Sequence, residues 1–119
     1  MEHHKIVLPE CMNDQGTLFG GYLLKWLDEF AYVTVNIEFP GHHFVTIGLD
    51  DITFRHPIAC RQILRFVVAR TRLGNMSVDY NVDIFATSPA QQFDGPVFAT
   101  QIAFVSIAAD GNKIPIPRD

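Results

Sequence analysis

The feature that most constrains this chain is a single helical stretch with no successor. From Tyr22 to about Ile37 the apolar residues recur at helical spacing, with Leu23, Leu27, Phe30, Ala31 and Thr34 on one stripe and Tyr22, Trp26 and Val33 on another. A helix apolar on most of its sides belongs inside a core. Phe39, Pro40 and Gly41 end it, and no later segment regains a 3.6-residue period. One helix must therefore be enclosed by strands.

Those strands are marked by alternation and by turn residues. A short apolar run, Ile6 to Leu8, closes at Pro9, and Glu10 to Gly21 is a loop rich in Asn13, Asp14, Gly16, Gly20 and Gly21. Four strands are expected after the helix, at about Phe44 to Phe54, Ile63 to Leu73, Met76 to Ala86 and Val97 to Ile107, with turns at Gly74-Asn75 and Gly95-Pro96. In the first, the apolar phase switches at Asp50 and Asp51, which predicts a bulge there. In the third, Val78, Tyr80, Val82 and Ile84 alternate with Ser77, Asp79, Asn81 and Asp83, so one face is wet. The expected fold class is α+β, a single domain of residues 1–119 with an antiparallel sheet curled around one long central helix. The tail from Gly111 to Asp119 is expected to be poorly ordered.

Charge and motifs narrow the function. Thirteen acidic residues against nine basic ones give a net charge of −4, so no overall positive field recruits nucleic acid or an anionic membrane. No apolar stretch approaches the roughly 20 residues of a membrane span, and the amino terminus lacks the pattern of a secretory signal. Cys11 and Cys60 lie far apart without CxxC spacing and read as reduced thiols, so the expected location is the cytoplasm. His3, His4, His42, His43 and His56 take no metal-ligand spacing, and no metal is expected. There is no phosphate-binding glycine loop and no GxSxG elbow.

Three features could carry chemistry. Asp28 lies one turn from Leu24, Ala31 and Tyr32, among mostly apolar neighbours. Its position alone leaves three placements open, a reactive carboxylate, a member of a solvent-facing polar stripe with Lys25 and Glu29, or half of a buried ion pair. Gly20-Gly21 stands directly before the helix, where unpaired amides and the helix dipole can hold an oxyanion, although glycines also serve close packing. Asn13 in the preceding loop offers an amide that could orient a carbonyl or water, or could simply shape a turn. Arg65, Arg70 and Arg72, with Arg55 and Arg61 nearby, form the densest basic region; such charges usually solvate a face, and a minority bind phosphate.

The string Asn13-Asp14-Gln15-Gly16-Thr17-Leu18-Phe19-Gly20-Gly21, followed by Leu23-Leu24-Lys25-Trp26-Leu27-Asp28-Glu29, resembles the signature of bacterial hotdog-fold acyl-CoA thioesterases. The similarity continues through Phe44-Val45-Thr46-Ile47, Phe54-Arg55-His56-Pro57-Ile58, Gly74-Asn75-Met76-Ser77 and Phe104-Val105-Ser106-Ile107 to Ile116-Pro117-Arg118. The resemblance implies a helix wrapped by a sheet, a homodimer with one continuous sheet, further assembly to a hexamer as a trimer of dimers, and a site at the dimer interface. It implies that Asp28 is the catalytic base or nucleophile, that Asn13 of the facing subunit positions water or thioester, and that Gly20 and Gly21 hold the developing oxyanion. Phe19, Thr46, Phe54, His56, Pro57, Gly74, Ser77 and Arg72 are implied to contact the substrate. No cofactor is expected, since coenzyme A is part of the substrate.

Where the family carries a Gly-Asp turn after Pro57-Ile58, this chain reads Ala59-Cys60-Arg61-Gln62, and the chain stops soon after Arg118. These departures motivate the alternative of a non-catalytic acyl-CoA binding or sensing protein. A third reading, action on carrier-bound acyl groups, lacks the histidine near Asp28 that dehydration needs.

Overall fold

The apolar stripe becomes α1, Gly20–Glu38, in the computed structural model, which describes residues 1–50, 52, 54–89 and 93–116. Leu23, Trp26, Leu27, Ala31, Thr34 and Val35 are its buried residues. They recur every three to four positions, so burial of one face, at about 1.5–3 kcal/mol per large apolar side chain, holds the helix in place. Five strands pack against it: β1 Glu2–Ile6, β2 His43–Leu49, β3 Ile63–Leu73, β4 Ser77–Ala86 and β5 Phe98–Ile107. They form one antiparallel sheet in the order β1-β3-β4-β5-β2. One helix on one face of an antiparallel sheet is the α+β layer arrangement that the sequence predicts, and it agrees with a hotdog fold.

The inner face of the sheet is the core. Val78, Tyr80, Val82 and Ile84 of β4 are at most 0% exposed, and their neighbours Asp79, Asn81 and Asp83 are half-buried on the outer face. Phe66, Phe98 and Phe104 fill the space between sheet and helix. The one phenol among these residues is not left dry: the Tyr80 hydroxyl donates to Glu38 Oε1 at 2.6 Å. Burial, then that carboxylate, push the phenol well above its ordinary range, so it stays a donor.

Four expectations are corrected. The first strand is Glu2–Ile6, not Ile6 to Leu8, because its place is set by pairing with β3, from Glu2 opposite Val67 to Ile6 opposite Ile63. Val7 is fully buried but leaves the ladder, exchanging backbone bonds with Arg61 and Gln62. The second strand stops at Leu49, and its bulge falls between Thr46 and Gly48; of the pair expected to carry the phase switch, Asp51 lies outside the described residues. Helix α1 begins at Gly20, so both glycines lie inside its first turn. The tail is pinned over 113–116: Ile114 N–H donates to Ser106 O, Ile116 N–H donates to Asn75 O, and Ile116 is buried. Residues 117–119 of that expectation lie outside the described residues.

The altered turn after Ile58 is held by an unusual backbone. Arg61 has φ 70°, the one left-handed non-glycine residue among those described. Glycine adopts that conformation without a steric penalty, so an arginine here is kept by its surroundings. Arg61 N–H donates to Val7 O at 2.7 Å, and the next residue, Gln62, is buried with Oε1 accepting from Ser88 N–H at 2.7 Å.

Candidate active site

Asp28 is exposed on α1, on the side next to β2, and its Oδ1 accepts a 2.7 Å hydrogen bond from Thr46 Oγ1. Thr46 stands opposite Phe104 in the β2–β5 ladder, on the helix-facing side of the sheet. The apolar surroundings read from the sequence do not enclose Asp28 within one chain; a hydroxyl orients it instead. One oxygen is held by Thr46, which fixes the direction of the other. Tyr32 follows one turn later, 43% exposed, with its ring 6.3 Å from that of Phe104.

The start of α1 opens a separate cleft of about 290 Å3. Leu18, Leu23, Phe54 and Ile58 give it apolar walls, and Thr17, Gly20, Arg55, His56 and Pro57 complete it. The segment 54–58 is fastened on several sides. Phe54 packs 5.3 Å from Phe98, His56 stacks 4.2 Å from Phe93, and Ile58 O accepts from Leu18 N–H. Gly20 lets the Phe54 ring pack against the helix start, since a Cβ there would come within 2.6 Å of that ring and push it aside. No side chain caps this helix end: the residue before it, Phe19, has extended backbone and makes no side-chain capping bond. The first amides of α1 are thus available to an anionic group, as at any uncapped helix start.

Asn13 joins neither feature. Its Oδ1 accepts from the N–H groups of Gln15 and Thr17 at 3.0 and 3.1 Å, and its Nδ2 donates to Thr17 Oγ1 at 3.0 Å. Asn13 therefore shapes the loop that enters α1, with one amide hydrogen to spare. Phe19 lies with Gly21, Tyr22 and Lys25 on an exposed apolar patch. Gly74 and Ser77 form the β3–β4 turn, where Gly74 N–H donates to Ser77 O and the two residues pack closely.

Arg72 is placed away from both features. A bulge between Arg70 and Arg72 lets these two residues face opposite sides of the sheet, so the basic strand is not a basic patch. Arg72 sits across from Asp79 on the outer face; Arg70 lies over the Phe39 ring near the end of α1; Arg65 pairs with Glu2 at 2.8 Å. The cationic residue at the cleft is Arg55, which the sequence reading counted within the basic region but did not single out. The signal was present in the Phe54-Arg55-His56-Pro57 string, whose neighbours are the ones that line the cleft. Among the described residues no group of three or more His, Cys, Asp or Glu could hold a metal ion, and no helix is long and apolar enough to cross a membrane.

Comparison with known proteins gives this geometry a context. A family model described as the thioesterase superfamily matches residues 15–92. The protein VdlD of Helicobacter pylori is 30% identical over 115 residues, or 95% of this chain, which spans 64% of that relative's length. Among solved structures, an acyl-CoA hydrolase from Staphylococcus aureus in complex with butyryl coenzyme A, coenzyme A and coenzyme A disulfide superposes with a TM-score of 0.86 at 26% identity, over 98% of this chain and 71% of that one. A hexameric hotdog fold thioesterase of Campylobacter jejuni superposes with a TM-score of 0.83 at 25% identity, over 97% and 88% of the two chains.

Proposed function

Because this chain belongs to the thioesterase superfamily, we propose that it hydrolyses an acyl-CoA thioester to a free acid and coenzyme A, with Asp28 as the reacting carboxylate. The observation that carries this reading is the Asp28–Thr46 pair: a carboxylate oriented by a 2.7 Å hydrogen bond, open to a ligand, beside an unpaired sheet edge. The structural likeness to an acyl-CoA hydrolase solved with butyryl coenzyme A supports the substrate class.

The chemistry asks little of the protein. With Asp28 as base, its free oxygen takes a proton from water, and the water oxygen bonds to the thioester carbonyl carbon. With Asp28 as nucleophile, that oxygen attacks the carbon and water hydrolyses the resulting anhydride. In both routes the carbonyl oxygen gains negative charge, the carbon–sulfur bond breaks, and the sulfur leaves as a thiolate that takes up a proton. A thiolate is a good leaving group, so a strong acid is dispensable. The amides of Gly20 and Gly21 are the group for the oxyanion, at about 3–4 kcal/mol per donor by analogy with other enzymes.

One chain does not assemble these parts. Neither Asp28 nor Thr46 lines the cleft at Gly20, and Gly21 lies seven residues from Asp28, about 10 Å along the helix at ~1.5 Å per residue. A second copy related by a twofold axis, pairing β2 with β2, would run its helix antiparallel to α1. The cleft and Asn13 of one copy then approach Asp28 of the other. The free edge supports this, since Val45, Ile47 and Leu49 are 40%, 56% and 37% exposed. The hexameric Campylobacter jejuni thioesterase supports further assembly of such dimers. On this reading the protein works in the cytoplasm, needs no cofactor, and meets neither nucleic acid nor membrane.

The test is release of free thiol from acetyl-, butyryl-, hexanoyl-, octanoyl- and palmitoyl-CoA. Asp28→Asn, at an exposed position, is expected to keep the fold and to lower turnover at least a hundredfold. An unchanged rate would remove Asp28 from the mechanism. Binding of coenzyme A without turnover of any thioester would leave an acyl-CoA binding protein.

A further inference from the structure

The cleft at the start of α1 is chemically divided. Its walls are Leu18, Leu23, Phe54 and Ile58, while its polar lining residues include Arg55 and His56. A trough that is apolar along its walls and cationic at one residue fits a long ligand with an uncharged arm and an anionic end. Resting on the acyl-CoA reading, we infer that Arg55 is the residue that recognises the phosphate-bearing end of the thioester substrate.

The geometry prepares Arg55 for this. Its backbone N–H donates to Val97 O at 3.4 Å, and both neighbours are anchored, Phe54 against Phe98 and His56 stacked on Phe93 at 4.2 Å. The segment is fixed while the Arg55 side chain stays exposed. Among the described residues, the one ion pair is Arg65 with Glu2, so Arg55 has no carboxylate to neutralise it. A planar fork of five donors without an anion is suited to bidentate contact with a phosphate.

The other described arginines are excluded by position. Arg65 is paired and lies over the Phe85 ring, Arg70 covers Phe39, Arg72 faces Asp79, and Arg61 lies in the turn beyond the cleft-lining residues 54–58. None of these four lines the cleft. The phosphate end of the substrate thus lies by the 54–58 segment, and its uncharged arm follows the apolar walls inward.

Arg55→Gln tests this with two substrates, butyryl-CoA and the butyryl thioester of N-acetylcysteamine, which has no phosphate. The expected result is a KM for butyryl-CoA raised about tenfold, the worth of roughly one charge-assisted contact, with kcat within about twofold and the phosphate-free thioester unaffected. An unchanged KM for butyryl-CoA, or an equal loss on both thioesters, would overturn the assignment. Calorimetric binding of coenzyme A provides a readout that needs no hydrolysis. Arg55→Gln is expected to weaken it about tenfold, and Arg65→Gln to leave it unchanged. Equal affinity in wild type and Arg55→Gln rejects Arg55 as the phosphate contact even if the enzyme is active. A wild type that binds coenzyme A without hydrolysing any thioester rejects the hydrolase reading alone, and the calorimetry still decides the role of Arg55. A wild type that binds no coenzyme A rejects both.

Discussion

The two edges of the sheet end differently. At the β1 edge, five residues carry Glu2, His4 and Lys5 between the exposed Met1 and Ile6, Glu2 is paired with Arg65, and the chain's amino group donates to Val68 O at 2.7 Å. Charge on a short strand discourages pairing with another sheet. At the β2 edge, the exposed large apolar residues are Val45, Ile47 and Leu49, and the exposed Tyr32 on α1 lies 6.3 Å from the ring of Phe104, which pairs with Thr46. The first edge is charged and tied to its neighbours within one chain, whereas the second presents apolar side chains. Asp28 and Thr46 stand at the second, so on the proposed reading chemistry and association share one surface.

That contrast can be broken by charge. Ile47→Asp, at the most exposed of the large apolar residues on the β2 edge, is expected to give a monomer by light scattering and to abolish thioester hydrolysis while the circular dichroism spectrum stays folded. The same charge at the other edge, His4→Asp, is expected to leave both assembly and rate unchanged. A dimeric, active Ile47→Asp protein would mean that β2 is not the shared edge. The contrast can also be sharpened from the interior. Leu27→Ala, at a residue with no exposed surface between helix and sheet, should cost about 2–5 kcal/mol in denaturant unfolding. It should leave the rate per folded dimer close to wild type, because Leu27 has no exposed surface to offer a partner or a substrate. A loss of assembly before unfolding would tie the core to the interface more closely than the structure suggests.

Much of the fold was legible in the sequence, and for one reason: Leu23, Leu27 and Ala31 recur at a period that nothing after Gly41 repeats. The alternation in β4 was equally plain, because its two faces meet different solvents. The first strand was misplaced because apolar character marks Ile6 to Leu8, whereas hydrogen bonding with β3 selects Glu2–Ile6. The arginines misled for a related reason: a bulge between Arg70 and Arg72 reverses their faces, and no residue type in that stretch announces it. At the candidate site, the sequence singled out Asp28 but not its surroundings. A helical stripe records which neighbours are close in sequence, and the hydroxyl that orients Asp28 comes from Thr46, on another element.

The family signature carried the rest of the site unevenly. Gly20, Phe54, His56 and Pro57 do meet in one cleft. Asn13 spends most of its hydrogen bonds on its own loop, and Gly74 and Ser77 build a hairpin turn. On the proposed reading, what these residues contribute to a substrate depends on a second copy, which a single sequence does not display.

The central claim is that Asp28 and the cleft act across two copies, and mixed dimers test it most directly. Asp28→Asn and Asn13→Ala proteins, each inactive alone, would be unfolded together, refolded and assayed for thiol release from butyryl-CoA. If the site is shared, half of the dimers are hybrids, and each has one site carrying both changes and one carrying neither, so about a quarter of wild-type activity returns. If each chain holds its own complete site, every site carries one lesion, no activity returns, and the shared-site account is wrong.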